Sequence, residues 1–455
     1  MKRKIYLMKH HLGISIPKNY FTFKKGQPIE IKILKNKKQD SFVTNFNRII
    51  SLRKEICNNL NLKSGDIIEI EIRRPTNTLR ENYLFKNNKI DMLALIQNKT
   101  DNRNIIFIKK AIKQKEEWLN IWSYRSKSTL KLKRFINIDI FGRLLGQLQA
   151  EGTKSGRRFR LEFCNKLIAE HIDYIAYLTE LGIPKNLFIC KCDFHSKVYN
   201  INKKVSEFES QVGIPIRYLI KSESSKGSYG FKTFIRNTLL TEIILNSLDT
   251  LRKKLIKESW DNNFKSLASA FFAKLLTGDG TLDITTKNRQ FNFPEARIKI
   301  TDGNIEYLKD YAEIMKKLGF KPHINEKHIY VRAYADFDKL LYLYKIKAFY
   351  NTPNWTKLIF LIDNNLRGRR LKTFLRFLDF LKSNKVITSR ELVRNYNVGL
   401  RAANDWLNNK EKEGLLTRDN RTRPIKWVTT EKANKLAELL ILYRKEFEKL
   451  NRQSY

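Results

Sequence analysis

Two short segments of the chain carry the same pattern, and this repetition restricts the possible folds more than any other feature. Residues 144–152 read LLGQLQAEG, and residues 272–280 read FAKLLTGDG. Each segment is an apolar run that ends in a small residue, one carboxylate and a glycine. Because glycine commonly ends a helix, both segments predict a helix whose last turn carries one acid, Glu151 or Asp279.

Small residues stand where two such helices would cross: Gly146, Ala150, Ala270 and Gly278. They would allow the two backbones to approach closely, which would bring Glu151 and Asp279 together at the C-terminal ends. Two carboxylates at that position repel each other and the helix dipoles, so we expect a cation between them. Oxygen ligands of this kind suit Mg²⁺ or Mn²⁺.

The sequence downstream of each segment also repeats. Residues 160–165 (RLEFCN) precede an amphipathic stretch that ends at Gly182, and residues 297–302 (RIKITD) precede one that ends at Gly319. Both copies therefore predict helix, strands, helix, glycine and strand, as expected of a duplicated unit with a pseudo-twofold axis. The competing interpretation, two ordinary buried helices with acidic ends, does not explain why the flanking sequences recur.

Both segments resemble the LAGLIDADG motif of homing endonucleases, in the form that carries two copies in one chain. The resemblance covers the two halves at residues 134–250 and 251–367, and Lys274 departs from the glycine or alanine usual in the family. It implies that Glu151 and Asp279 are catalytic. It also implies that the metal ligands are Glu151, Asp279, Ala150 and Gly278.

The same resemblance implies a saddle-shaped antiparallel sheet in each half, placed in the major groove of DNA. Alternate side chains of such a sheet would point at base edges. The candidate DNA contacts after the two motifs are Lys154, Arg157, Arg158, Arg160, Glu162, Thr285, Lys287, Arg289, Gln290, Asn292, Arg297 and Lys299. Basic residues late in each half are candidates near the scissile phosphates, with simple surface charge as the alternative: Lys232, Arg236 and Arg332.

The charge of the chain points to a polyanionic partner. Lys and Arg number 89 against 46 Asp and Glu, a formal net charge of +43 that is spread through every segment. Nucleic acid is the natural partner, because neutralised phosphates release counterions. A membrane partner is not expected, since the sequence has neither a run of about 20 apolar residues nor a signal-peptide pattern.

Four cysteines in 455 residues argue against a disulfide framework and for a reducing compartment, the cytoplasm or nucleoid of a prokaryote. Cys190, Cys192 and His195 lie close together in sequence, but no fourth ligand stands at a usual zinc spacing. Alternating residues of a β-strand are the preferred interpretation.

Residues 1–76 contain a second internal repeat. Residues 13–18 correspond to residues 49–54, and residues 23–33 correspond to residues 62–72. Each copy predicts a strand, a short helical turn, a Lys-x-Gly turn and an alternating strand. This resembles the AbrB-type swapped-hairpin module, which binds DNA as two chains. The candidate contacts are Lys18, Arg53 and Lys54, and a barrel used only for packing is the alternative.

Residues 77–133 are predicted to form a helical and basic linker. Residues 91–96 predict a short helix, residues 105–122 have helical spacing, and residues 126–134 form a basic run. The basic run is either a solvated linker or a segment that follows the DNA backbone.

Residues 368–455 are predicted to form a winged helix-turn-helix domain. An amphipathic helix at 369–383 and a capping box at 388–391 precede a recognition helix at 399–413 and a hairpin with a basic tip. The candidate DNA contacts are Arg401, Asn404, Asn408, Arg421 and Arg423. The alternative is a winged domain that binds protein.

The predicted fold class is therefore α+β, with a duplicated core, an N-terminal β module and a C-terminal winged helix. The predicted function is site-specific cleavage of double-stranded DNA by a monomer with an internal pseudo-dimer. By resemblance, each acid serves one strand and the cut leaves short 3′ overhangs. Two alternatives stay open: a DNA-binding regulator that no longer cuts, and an intron RNA maturase.

Overall fold

A computed structural model shows a mixed α+β protein with several antiparallel sheets. The chain forms two compact units, Met1–Phe272 and Ala273–Tyr455. The structure describes residues 1–8, 11–16, 23, 26–52, 54–74, 83–97, 106–113, 115–123, 129–152, 160–221, 228–285, 295–325, 327–332, 337–367, 386–396, 399–421, 423–435 and 438. In these ranges, no helix combines the length and the apolar character that a membrane span requires.

An antiparallel sheet of six strands opens the first unit. Its strands are β1 (Lys2–Met8), β2 (His11–Ser15), β3 (Pro28–Lys35), β4 (Lys38–Asn45), β5 (Ile49–Ser51) and β6 (Ile67–Arg73), in the order β4-β3-β6-β1-β2-β5, and helix α1 (Lys54–Asn59) precedes β6. Isoleucines dominate its core, among them Ile5, Ile14, Ile31 and Ile70. The strict alternation of β3 and β6 buries one face of each strand, as the sequence predicts.

The two copies of the N-terminal repeat pair with each other about a local twofold axis. Ile14 lies opposite Ile50 in the β2–β5 pair, and Lys32 lies opposite Glu71 in the β3–β6 pair. In both pairs the partners are equivalent positions of the two copies. The pairing therefore places a pseudo-dimer in one chain, while DNA binding by this module stays a prediction.

The described residues between 83 and 137 form two small sheets and a short helix, whereas the sequence predicts a helical and basic linker. They form β7 (Phe85–Lys86), β8 (Lys89–Asp91), α2 (Met92–Gln97), β9 (Ile106–Lys113), β10 (Glu116–Ser123), β11 (Leu130–Lys133) and β12 (Phe135–Asn137), in two sheets ordered β11-β10-β9 and β12-β8-β7. The short helix is confirmed, but the helical interpretation of residues 105–122 is wrong. Leu119 and Ile121 are buried on one face of β10 and Trp122 on the other. Burial on both faces produced apolar spacing that mimics a helix.

A buried ion-pair network connects these two sheets. Arg134 donates to both carboxylate oxygens of Asp91, the shortest distance being 2.7 Å from Nη2 to Oδ2, and Nη1 donates to Glu117 Oε2 at 3.0 Å. Asp91 is 1% exposed and Arg134 is 6% exposed. The last residue of the predicted basic run is therefore an internal cation and not part of a solvated face.

The first half of the duplicated region completes the first unit. It contains α3 (Ile138–Glu151), β13 (Leu161–Asn165), α4 (Ile168–Glu180), β14 (Ile189–Phe194), α5 (Ile201–Val212), β15 (Ile216–Lys221), β16 (Tyr229–Ile235), α6 (Thr238–Lys257) and the start of α7 (Asn262–Asp279). The sheet order is β13-β16-β14-β15. Neighbouring strands are antiparallel except β14 and β15, so the prediction of a fully antiparallel sheet is wrong. These two strands run parallel because α5 returns the chain to the same end of the sheet.

The second unit begins inside α7 and continues with β17 (Gly280–Thr285), β18 (Glu295–Thr301), α8 (Ile305–Lys317), β19 (His323–Ile324), β20 (His328–Arg332), α9 (Phe337–Lys345) and α10 (Pro353–Arg367). Its antiparallel sheet has the order β17-β18-β20-β19. Two side chains of α10 hold β17: Asn354 donates to Gly280 O and Lys357 donates to Leu282 O.

Local structural details recur between the two halves. The side chain of Asn165 accepts from the backbone amide two residues later, and Asp302 does the same, at 2.9 Å in each case. The glycines that follow the next helix, Gly182 and Gly319, have φ of +99° and +84°. Because side chains strain this left-handed backbone, both positions favour glycine for the same reason. These correspondences support the duplication predicted from the sequence.

The C-terminal part of the second unit contains β21 (Val386–Ile387), α11 (Ser389–Tyr396), α12 (Leu400–Lys412), β22 (Leu416–Asp419) and β23 (Lys426–Thr429), with the sheet order β21-β23-β22. The predicted capping box is present: Thr388 N donates to Glu391 Oε2, and Glu391 N donates to Thr388 Oγ1. The order helix, helix, hairpin agrees with a winged helix-turn-helix. The helix predicted at 369–383 lies outside the described residues.

Candidate active site and nucleic-acid interface

Helices α3 and α7 cross with their backbones in direct contact within the first unit. A Cβ atom added to Gly146 would lie 2.1 Å from the carbonyl oxygen of Phe271, and one added to Gly142 would lie 2.8 Å from Ala270 Cβ. Residue numbers rise together along both helices at these contacts, so the helices run in the same direction. Gly146 of the first motif, and Gly142 one turn before it, are therefore required by the crossing.

The acidic end of each motif helix is built in the same way. Glu151 is the last residue of α3, and Asp279 is the last residue of α7. The next residue enters a sheet at once, because Gly152 pairs with Phe163 and Gly280 pairs with Ile300. One carboxylate therefore stands at the junction between helix and sheet in each half.

The two motif glycines are needed for space and not for a left-handed backbone. Gly152 is extended, with φ of −86° and ψ of 173°. A Cβ on Gly152 would lie 2.4 Å from Leu148 O, and one on Gly280 would lie 2.4 Å from Leu276 O. The sequence correctly indicated a glycine that ends the helix, but the usual left-handed cap is not the reason for it.

Glu151 and Asp279 belong to different compact units. The expectation that the two carboxylates meet, and the metal-ligand roles of Ala150 and Gly278, stay predictions. Ala150 is buried, whereas Glu151, Gly278 and Asp279 are half-buried. Among the described residues, no group of three or more His, Cys, Asp or Glu side chains is arranged to hold a metal ion.

One face of the first sheet carries paired charges. Arg160 Nη2 lies 2.9 Å from Glu162 Oε2 on β13, and Lys232 Nζ on β16 lies 2.7 Å from Asp193 Oδ2 on β14. Burial alone would raise the pKa of Asp193, but the hydrogen bond and charge of Lys232, together with Lys191, leave that pKa below its usual value. Burial alone would lower the pKa of Lys232, but the hydrogen bond to Asp193 and the charge of that carboxylate leave this pKa above its usual value.

Glu151 acts electrostatically on this polar face. Cys164 on β13 lies opposite Lys232 on β16. Burial raises the pKa of the Cys164 thiol, the charge of Lys232 lowers it, and the charge of Glu151 raises it further. The acid at the end of α3 therefore lies near the charged face of the sheet.

The second sheet also has one apolar and one polar face. Ile298 and Ile300 are buried, whereas the alternate residues of β18, Arg297 and Lys299, point away from that core. Lys299 Nζ lies 5.9 Å from the centroid of the Tyr330 ring on β20. The predicted contacts Arg297 and Lys299 therefore share one face, and Tyr330 joins them.

Several members of these faces were not predicted. Lys191 and Asp193 alternate with buried cysteines in β14, and His328 and Tyr330 alternate with buried residues in β20. The signal was present in the alternation of residues 189–194, ICKCDF, and residues 328–332, HIYVR. Without pairing information, the sequence did not show that these strands neighbour the motif strands.

The cysteines of β14 behave as strand residues. Cys190 and Cys192 are both fully buried, and Cys190 Sγ lies 3.5 Å from Thr233 Oγ1. His195 follows the strand, where its Nδ1 accepts from the backbone amide of Lys197.

The C-terminal part of the second unit exposes four of its five predicted DNA contacts. Arg401 and Asn404 are exposed on α12, Ser389 Oγ donates to Asn404 Oδ1, and Asn408 is half-buried. Arg421 and Arg423 are exposed at the tip between β22 and β23. Arg418, which the sequence did not single out, stacks its guanidinium 5.6 Å from the Trp427 ring centroid.

Of the remaining predicted contacts, Arg236 and Lys54 are exposed. The others lie outside the described residues, or their side chains do: Lys18, Arg53, Lys154, Arg157, Arg158, Thr285, Lys287, Arg289, Gln290, Asn292 and Arg332.

Comparison with known proteins gives little further guidance. No family model and no curated protein match the chain. Among solved structures, full-length DUF199/WhiA from Thermatoga maritima is 12% identical over 59% of this chain and 88% of that chain, with a TM-score of 0.27. A double lysine-to-alanine mutant of I-SmaMI is 12% identical over 53% of this chain and 97% of that chain, with a TM-score of 0.26. Because both TM-scores are low, neither likeness supports an inference about this chain.

Proposed function

We propose that the chain is a site-specific endonuclease of the LAGLIDADG type that cuts both strands of a DNA duplex. The observation that carries this proposal is the repeated junction of helix and sheet, with a carboxylate at its end. Glu151 precedes the Gly152–Phe163 bridge, and Asp279 precedes the equivalent Gly280–Ile300 pair. A duplicated acid beside a duplicated polar sheet suits a reaction performed twice, once on each strand.

The chemistry of the acidic ends fits Mg²⁺ or Mn²⁺. Each end offers one carboxylate, from Glu151 or Asp279, and backbone carbonyls of the last turn, including those of Ala150 and Gly278, which lack partners within the helix. Mg²⁺ accepts such incomplete protein shells because it keeps several waters and binds substrate phosphates. When bound, the metal supplies an acidified water and stabilises charge on the leaving oxygen.

The protein's own groups would bind and orient the duplex. In the first half, Arg160 and Lys232 would bind phosphates or base edges of the major groove from a face on which each is paired with a carboxylate. In the second half, Arg297 and Lys299 would do the same. Arg401 at the start of α12 adds a second groove-binding element. A net charge of +43 supports a polyanionic partner of this size.

Selection from a randomised plasmid library in Mg²⁺ tests the proposal. We expect linearisation at one site by the native chain and loss of linearisation in Glu151→Gln or Asp279→Asn, with at most nicking by each single variant. Lys203→Gln, an exposed change on α5, serves as the matched control. Linearisation that both acid variants retain would refute the assignment.

A non-cleaving DNA-binding regulator is the second candidate, because of Lys274. This lysine is 5% exposed in α7 and occupies the motif position of Gly146, where the family has a small residue. A footprint without any cleavage, on DNA selected from the same library by binding, would favour the regulator. Binding to RNA alone would favour a maturase and would contradict both DNA proposals.

A further inference from the structure

A large open groove lies within the first unit, away from the acidic end of α3. Its volume is about 1070 Å³. One wall comes from the sheet of β9, β10 and β11, and the other comes from residues 182–189, residues 213–217 and the end of β16. From the sequence, the first wall belongs to the predicted linker, whose basic run at 126–134 is a candidate for following the DNA backbone, and Arg236 of the second wall is a candidate near the scissile phosphates.

The groove is cationic. It is lined by five exposed basic residues: Lys113, Lys131, Lys185, Arg217 and Arg236. No carboxylate occurs among the described residues that line it. Within the described part of the chain, Lys113, Lys185, Arg217 and Arg236 form no ion pair with an acidic side chain. A concave surface that carries these four cations attracts a polyanion strongly.

The walls of the groove are joined by close packing, so its shape is set before a ligand binds. A Cβ on Gly182 would lie 2.4 Å from Trp118 Cζ3, and the φ of Gly182 is +99°. The backbone amide of Lys133 donates to Leu181 O at 3.0 Å. These contacts fix β10 and β11 against the turn after α4.

The groove continues the polar face of the first sheet through Arg236. The Arg236 guanidinium lies 5.7 Å from the Phe234 ring centroid, and that of Arg160 lies 5.3 Å from the same ring. Arg160 belongs to the sheet face and Arg236 lines the groove. The shared ring of Phe234 therefore connects the expected DNA face with the groove.

We propose that this groove binds the sugar–phosphate backbone of the DNA that flanks the base pairs on the first sheet. This proposal rests on the proposed function, because the DNA duplex of that function is the ligand of the groove. It adds a surface from β9, β10, β11 and the loop ends of the first half. This surface lengthens the protected DNA on one side without reading bases.

The test compares two triple variants of the full chain with the same loss of charge. The groove variant is Lys113→Gln, Lys185→Gln and Arg217→Gln. The control is Lys203→Gln, Lys253→Gln and Lys257→Gln, all exposed and outside the groove. Affinity for a long random-sequence duplex, the matching single strand and RNA of equal length is measured against salt in EDTA, where cleavage cannot contribute. Circular dichroism verifies folding.

We expect the groove variant to bind the duplex roughly a hundredfold more weakly near physiological salt, at about fivefold per lost phosphate contact. The slope of log K against log salt should fall by about 0.9 per contact. On a selected target, hydroxyl-radical protection should shrink on one flank only. Equal behaviour of the two variants would overturn the proposal, as would a loss confined to single strands or RNA. Absence of cleavage in Mg²⁺ would instead count against the nuclease assignment.

Discussion

The substitution Gly146→Ala tests the close crossing of α3 and α7. The added Cβ would lie 2.1 Å from Phe271 O, 2.9 Å from Phe271 C and 3.1 Å from Phe271 Cα. All three are backbone atoms, so no flexible side chain can move aside, and the helices must separate. Overpacking of a close-packed core costs about 1–3 kcal/mol, and this contact belongs at the upper end. Replacing glycine by alanine inside a helix returns about 1 kcal/mol.

The expected net loss for Gly146→Ala is therefore about 2 kcal/mol in the free energy of unfolding. Urea denaturation, followed by tryptophan fluorescence and circular dichroism, measures it. Gly303→Ala is the matched control, because a Cβ there meets nothing within 4 Å. If Gly146→Ala unfolds at the same urea concentration as the native chain, the two backbones are not in contact and the reasoning about the motif glycines fails.

Three further outcomes are expected. Arg134→Ala should lower the free energy of unfolding by about 3–5 kcal/mol in urea denaturation, because it leaves the buried carboxylate of Asp91 without its cation; an unchanged midpoint would contradict the network. Burial lowers the pKa of His171 to about 4, so its folded form stays neutral while the unfolded chain takes up a proton below about 6.5. Stability should therefore fall between pH 6.5 and 4, by up to about 3 kcal/mol, and His171→Phe should flatten this decline in thermal melts at several pH values. Arg401→Gln should weaken binding of a selected DNA by about 1–3 kcal/mol in gel-shift titrations if it contacts a base; an equal loss on random DNA would assign it to phosphate.

The sequence predicted best where a pattern recurred. Gly152 and Gly280 marked the ends of two helices because both copies needed space at the same point. Strands β3 and β6 were readable because isoleucine recurs at every second residue and faces the core. The helix prediction for residues 105–122 was wrong for the opposite reason, because both faces of β10 are apolar. Trp118 and Trp122 lie on one face and Leu119 and Ile121 on the other, and this spacing matches a helix.

The polar faces could be predicted only in part. Arg160 and Arg297 stand at the start of the repeated segments 160–165 and 297–302, so their strands were evident from the sequence. Asp193 and Tyr330 come from strands farther along the chain. Only the β14–β16 pairing brings Asp193 to the polar face of the first sheet, and only the β18–β20 pairing brings Tyr330 to that of the second. Strand neighbours depend on tertiary packing, which a single sequence does not display.

The N-terminal module has a consequence for how its two copies can evolve. In a homodimer, a residue on the twofold axis faces itself, so a lysine there would meet a lysine. Here Lys32 faces Glu71 at the equivalent position of the other copy, and opposite charges attract across the strands. Fusion into one polypeptide has thus removed the obligation to be self-complementary. Each copy is therefore free to acquire its own surface.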